Sequence, residues 1–319
     1  MPAILSTVRC NYCREQIKIE AMHVSAAVCN SCFDQHFFLC IQCGEATTIS
    51  RSSVRDGDRI CYKCIDQESC YDAPERTPKP LKASITTYEK MTSRRKFGIE
   101  LETSDCYDYK GLPRTCDWGV KEDPSVSGME FDSPIMYGDS GFKALDEILD
   151  YADENHWETN CECGTHTHYD MRNESELELA RIAYAYVKTY RLWERFVSRG
   201  RAGNYYCVRS DNRSRDIRDA YESGNVKSLI NNWDKYIWIN LSAYRKHKTF
   251  ENRLLEGTLD RVRIKQWVRL NALFIDAVKD MTFAEIDAWF GQTKETMFEG
   301  LEHCIDNAEL TTYWGRHAR

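Results

Sequence analysis

The sequence predicts an α+β protein with a small cysteine-rich, zinc-binding domain at its amino end. Three observations lead there: four Cys-x-x-Cys pairs within the first 64 residues, short runs of two-residue hydrophobic alternation from Phe97 onward, and amphipathic stretches of helical period among them. At 319 residues the chain can bury a sizeable core without disulfide help. A formal net charge of -7 argues against nucleic-acid or acidic-membrane binding driven by the whole surface. Mean hydropathy is -0.60, and no run approaches the roughly 20 apolar residues of a membrane span. Met1–Val8 is too short an apolar stretch for a signal peptide. The expectation is a soluble, cytoplasmic protein with no membrane contact.

Most of the 15 cysteines are paired in sequence: Cys10/Cys13, Cys29/Cys32, Cys40/Cys43 and Cys61/Cys64. Each pair is a tight knuckle that lets two thiolates reach one tetrahedral ion, so eight thiolates make two structural Zn2+ sites of four cysteines each. In a reducing compartment this arrangement means metal rather than disulfide. The first two pairs are separated by 15 residues and the last two by 17, which makes sequential pairing the simpler wiring, although a cross-brace fits the same spacing. With eight thiolates available, His23 and His36 read as ordinary side chains. The metals substitute for a core too small to hold residues 1–72 together. Acidic and basic residues nearly balance there, which suits docking of a protein partner or substrate better than phosphate contacts. Residues 73–95, with Pro74, Pro78, Pro80 and an excess of basic residues, read as an extended linker. The larger domain is then 96–319.

That domain opens on Phe97-Gly-Ile-Glu-Leu-Glu-Thr103, whose period-two alternation makes a strand with Glu100 and Glu102 on one face. Two carboxylates so close cannot both stay ionised in a low dielectric unless a cation lies between them or one keeps a proton, which suggests a divalent-metal face. Gly128–Ile135 alternates again, with Glu130 and Asp132 sharing a face; with Asp123 they form a second acidic cluster. Phe142–Tyr151 carries a helical stripe, with Asp139 or Ser140 as its cap and an end near Asn155. In Cys163-Gly-Thr-His-Thr-His-Tyr169, strand alternation puts His166 and His168 on one face, as metal or phosphate contacts. Cys161 and Cys163 fit either a third zinc site or reduced, buried thiols. Asn173 with Glu176 reads as the capping pair of one long helix striped by Leu179, Ala183, Val187, Tyr190, Trp193 and Val197. Gly200–Arg209 is loop then strand, offering Arg201 and Arg209 as forked anion contacts. Tyr236–Leu241 is a buried strand interrupted by Asn240. Lys248–Leu254 is another, with Thr249, Glu251 and Arg253 on one face. Gly257–Asp260 then turns into a helix striped by Ile264, Trp267, Leu270, Phe274 and Ala277.

The order of these segments resembles the amidoligases, relatives of glutamine synthetase and glutamate-cysteine ligase among the carboxylate-amine ligases. The resemblance runs from about Lys96 to about Lys279. Its motifs are Phe-Gly-Ile-Glu100-Leu-Glu102, Asp123-Pro-Ser125 with Glu130-Phe-Asp-Ser133-Pro134, Cys163-Gly-Thr-His166-Thr-His168, Ile-Asn240-Leu, and Thr249-Phe-Glu251-Asn-Arg253 with Gly257-Thr258-Leu-Asp260. Pro124 departs from the family, which more often has glycine there, and the cysteine-rich module lies outside the resemblance.

The resemblance implies a glutamine synthetase-like curved, mainly antiparallel sheet with helices on its outer side, holding ATP and two or more Mg2+ ions in the concavity. Glu100, Glu102 and Glu130 would be metal ligands, and His166 and Glu251 the ligands of the ion nearest the γ-phosphate. Arg253 would steady the transferring phosphoryl group, Arg253, Glu251 and His168 forming the catalytic set and Arg201 and Arg209 completing the cofactor contacts. The expected activity is ATP-dependent formation of an amide or isopeptide bond through an acyl phosphate. Its substrates would be an amine and a carboxylate, free or linked to a peptide or macromolecule. The competing readings are a binding or regulatory protein that keeps the fold without turnover, and a zinc-dependent nucleic-acid binder, which the charge balance disfavours.

Overall fold

The structure is a computed structural model. It describes residues 7–9, 16–18, 28, 30–39, 46–49, 52–55 and 58–61 toward the amino end, then 93–104, 112, 116–123, 125–210, 213–291 and 293–318. The chain divides into two compact units, Met1–Asp72 and Ala73–Arg319.

In the amino-terminal unit the described residues form three short antiparallel hairpins and a helix. β1 (Thr7–Arg9) pairs with β2 (Gln16–Lys18), β3 (Phe37–Leu39) with β4 (Ala46–Thr48), and β5 (Ser52–Arg55) with β6 (Asp58–Cys61). Helix α1 (Asn30–His36) precedes β3 and contains Cys32, which is buried. Arg9 pairs with Gln16 and Leu39 with Ala46. Cys10, Cys13, Cys29, Cys40, Cys43 and Cys64 themselves, and hence both expected zinc sites, lie outside the described residues, as does residues 73–92 of the expected linker.

The larger unit is α+β, as the sequence predicts. Its sheet has six strands, in the order β11 (Ile239–Asn240), β12 (Thr249–Glu256), β10 (Gly164–Asp170), β7 (Phe97–Glu102), β9 (Met129–Asp132), β8 (Lys121–Glu122), and every pairing is antiparallel. Alternation along β7 sends Phe97, Ile99 and Leu101 to the apolar side, where each is buried. Phe131, Tyr169 and Phe250 join them from neighbouring strands. Between β10 and β12 the register slips: Thr165 faces Leu255 but Thr167 faces Asn252. This bulge lets the consecutive residues Leu254 and Leu255 both enter the core, which strict alternation forbids.

Helices cover that apolar side. α2 (Gly138–Glu154), α3 (Glu176–Lys188) and β10 all pack against α8 (Arg261–Val278), whose start is capped by Asp260 accepting from the backbone N–H groups of Val262 and Arg263. The remaining helices are α4 (Tyr190–Trp193), α5 (Ser214–Glu222), α6 (Val226–Asn231), α7 (Ser242–His247), α9 (Phe283–Trp289), α10 (Lys294–Ile305) and α11 (Ala308–His317). Among the described residues, no helix is long and apolar enough to cross a membrane.

Local details depart from the sequence expectations. The cap of α3 is Ser175 with Glu178, a reciprocal capping box, rather than Asn173 with Glu176. The expected long helix breaks at Thr189, whose hydroxyl bonds back to the Ala185 carbonyl and receives the Trp193 indole N–H. Helix α2 starts at Gly138 with Tyr137 in the cap position and no side-chain cap. β11 is shorter than the apolar run Tyr236–Leu241 around it.

Candidate active site

The polar side of the sheet gathers the acidic residues of four strands. Register decides which of them meet: Glu100 stands opposite Asp132 on β9 and His166 on β10, Glu102 opposite Glu130, and His168 opposite Glu251. Asn240 on the edge strand faces Glu251. Six carboxylates (Glu100, Glu102, Asp123, Glu130, Asp132 and Glu251) thus converge, against the permanent cations Lys121, Arg201 and Arg253.

Glu100 is the hub. Its Oε2 lies 3.0 Å from His166 Nδ1 and its Oε1 3.0 Å from His168 Nε2. Burial opposes its charge, but His168 and His166 outweigh that and hold its carboxyl well below the usual range. His168 shows the reciprocal effect: burial disfavours the imidazolium, yet Glu100 and Glu251 raise it to about 9. Its other nitrogen is 3.1 Å from the Thr249 hydroxyl, which sets the ring's orientation. Glu251 is gripped from two sides, by Arg253 Nη1 at 2.6 Å and by Asn240 Nδ2 at 2.7 Å. Asn240 is itself oriented by the N–H and hydroxyl of Ser242.

Glu130 carries the opposite perturbation. Its side chain is only 4% exposed; burial and the charge of Glu100 push its carboxyl up to about 10, and Asp123 shares a hydrogen bond with it. Burial also pushes Asp123 up, but the bonds from Glu130 and Ser125 hold it below its usual value. Lys121 Nζ lies 2.6 Å from Glu130 Oε1 and 3.0 Å from Asp132 Oδ2.

Three groups of ligand atoms lie within 4.8 Å of one another: Glu100, His168 and Glu251; Glu102, Asp123 and Glu130; and Glu100, Glu130 and Asp132. Oxygen-rich sets of this kind, one with an imidazole, suit Mg2+ or Mn2+ rather than a soft metal. The excess of negative charge supplies the electrostatic reason for such an ion.

His168 joins Glu100 and Glu251 in a ligand group, while His166 Nδ1 lies 3.0 Å from Glu100 Oε2 and 3.8 Å from Glu251 Oε1. Both ring nitrogens of His166 face protein groups: Nδ1 faces Glu100, and Nε2 lies 3.1 Å from Arg201 Nη2 and 3.3 Å from Glu102 Oε1. Arg201, read as an anion contact, is 1% exposed and donates to the Arg253 carbonyl at 2.9 and 3.2 Å. It buttresses the bulged end of β12 and aims His166. Gly164 makes room for it, since a Cβ there would lie 2.0 Å from Arg201 Nη2; its own N–H donates to Glu102 Oε2 at 2.5 Å.

Arg209, the second expected anion contact, is 57% exposed and pairs with Glu194 at 3.1 Å. Cys163 is buried, its thiol pushed up to about 12 by burial, while Cys161 is exposed; among the described residues no ligand group includes either. Lys121 and Gly164 escaped the sequence reading. The signal for Lys121 was there, because alternation puts it on the same side as Asp123, and both meet Glu130.

Beside Glu100 and His168 the face opens into a cavity of about 380 Å³, whose lining includes Lys96, Ser133, Ile135, Lys246 and His247. Among the described residues neither Lys96 nor Lys246 makes an ion pair; Asp132, Asp170 and Arg172 line the same cavity.

The family model described as "Putative amidoligase enzyme" matches residues 114–275, half of the chain. It begins after β7, yet β7 occupies the middle of the sheet that the matched strands build. No curated protein matches the chain. With the matched segment supplying Glu130, His168, Glu251 and Arg253 to this face, the chain belongs to the amidoligase family.

Proposed function

We propose that the chain is an ATP- and Mg2+-dependent carboxylate-amine ligase that joins an amine to a carboxylate through an acyl phosphate. The observation that carries this reading is the joining of three carboxylate-rich ligand groups to Glu251–Arg253 on one sheet face of an amidoligase. An amine cannot displace oxide from a carboxylate at neutral pH. Transfer of the ATP γ-phosphoryl group to a carboxylate oxygen makes phosphate the leaving group, and nitrogen attack then forms the amide. Mg2+ held by the carboxylates of this face would neutralise the phosphoryl oxygens.

The chain's own residues have separable tasks. Arg253, held by Glu251, would offer positive charge to the negative oxygens of the transferring phosphoryl group. Glu251 is oriented by Arg253 and Asn240. His168, set between Glu100 and Glu251, would contribute its neutral imidazole to the ligand group. Lys96 and Lys246 offer charge to the polyphosphate at the cavity mouth. His166 and Arg201 position Glu100 and Arg253. The zinc-binding module would dock a protein partner or the macromolecule that bears the amine or acid.

The test is ATP hydrolysis by zinc-loaded protein with Mg2+, screened against pooled amines and acids. Substrate-dependent phosphate release that is lost in Glu251→Gln and Arg253→Ala supports a ligase. Intact, zinc-loaded protein that neither binds ATP nor releases phosphate with any pool would sink it.

A further inference from the structure

The acidic face contains a cation of its own. Lys121 lies on the edge strand directly opposite Glu130. Its ammonium meets Glu130 Oε1 at 2.6 Å and both Asp132 oxygens, Oδ2 at 3.0 Å and Oδ1 at 3.2 Å. Those two residues are two of the three members of the group Glu100, Glu130 and Asp132. In the group Glu100, His168 and Glu251, the permanent cation Arg253 touches a single member, Glu251. An ammonium with three tetrahedral donors is suited to bridging two carboxylates, and a divalent ion in the same group would face its charge at close range.

We propose that Lys121 is a resident counter-ion that fills the third ligand group, so that the face accepts divalent ions at two positions instead of three. The inference rests on the divalent-metal reading above. It makes Lys121 a positioning residue: it fixes Glu130, which is shared between two of the three groups, and leaves one carboxylate oxygen of that residue to the group with Glu102 and Asp123.

The geometry makes the exchange testable. The Lys121 side chain is 42% exposed, so Lys121→Met keeps most of its stem contacts while removing the charge. Mn2+ is the probe, counted by electron paramagnetic resonance of the free ion during titration of full-length, zinc-loaded protein. The expected result is two ions bound by wild type and by Lys121→Arg, three by Lys121→Met, and two again when Asp132→Asn is added to Lys121→Met. Circular dichroism and a thermal melt establish that each variant is folded. Three ions on the wild type, or an unchanged count in folded Lys121→Met, overturns the inference while leaving the metal reading in place. A wild type that binds no Mn2+ removes both.

Discussion

The two sides of the six-stranded sheet bury polar groups in opposite ways. On the apolar side, Asn271 Oδ1 accepts from Tyr186 and from Asn252 Nδ2, both at 2.7 Å, its own amide donates to the Trp267 carbonyl, and Asn252 Oδ1 accepts from the Leu254 N–H. That network is neutral and closes on itself. The polar side leaves six carboxyl groups facing three permanent cations, and their proton affinities are displaced in opposite directions: Glu130 is pushed up by burial and the charge of Glu100, and Glu100, against its burial, is held low by His168 and His166. A closed neutral network stabilises the fold, whereas an unbalanced charged one stores a demand for ligands.

The comparison can be broken from the charged side first. Removing the guanidinium in Arg253→Ala, or the charge in Glu251→Gln, should lower turnover by about 10² to 10³-fold, measured as substrate-dependent phosphate release, while the melting temperature of Glu251→Gln holds or rises as crowded negative charge is relieved. A large loss of stability in Glu251→Gln would mean that the pair is structural. Gly164→Ala should lower the same turnover by roughly 10-fold or more, because displacing Arg201 frees both His166 and the end of β12. Unchanged kinetics would show that Arg201 does not position the site.

On the neutral side, Asn271→Ala strands the Asn252 amide and the Tyr186 hydroxyl and should cost about 2–4 kcal/mol in chemical denaturation. A cost below about 1 kcal/mol would show that the network is not closed as described.

Acidity separates the two sides more gently. His168 is raised from 6.5 to about 9 and Glu130 from 4.5 to about 10, so the folded state binds these protons more tightly than the unfolded chain. Their stabilisation is full below the unfolded values and is lost as pH rises toward the folded ones. Metal-free protein should therefore lose stability between pH 6.5 and 9, by at most about 1.4 kcal/mol per pH unit for each proton. Glu100, held low, works in the opposite direction and should destabilise the fold in acid. Saturating Mg2+ should flatten the alkaline limb, as melting curves in Mg2+ and in chelator would reveal. The smallest effect belongs to Arg209→Ala, which should change stability by less than about 0.5 kcal/mol and turnover by less than about twofold. A kinetic defect there would return Arg209 to the site.

Alternation in the sequence determined which residues share a side. Glu100 with Glu102, His166 with His168, and Glu251 with Arg253 were all legible, because a pleated strand has a period of two whatever it pairs with. Helical stripes likewise marked α2, α3 and α8. Capping was legible only to within two residues: Ser175 and Asn173 are both good caps, and the register of the whole helix chooses between them. Which residues of different strands become neighbours was decided by tertiary structure alone, since periodicity within one strand says nothing about its register against the next. That register brought His168 to Glu251, set Lys121 across from Glu130, and left Arg209 with Glu194. The bulge opposite His166 is of the same kind, and with it the burial of Arg201 behind Gly164. The sequence determined the chemistry available on the face; long-range pairing decided which groups are close enough to share a proton or an ion.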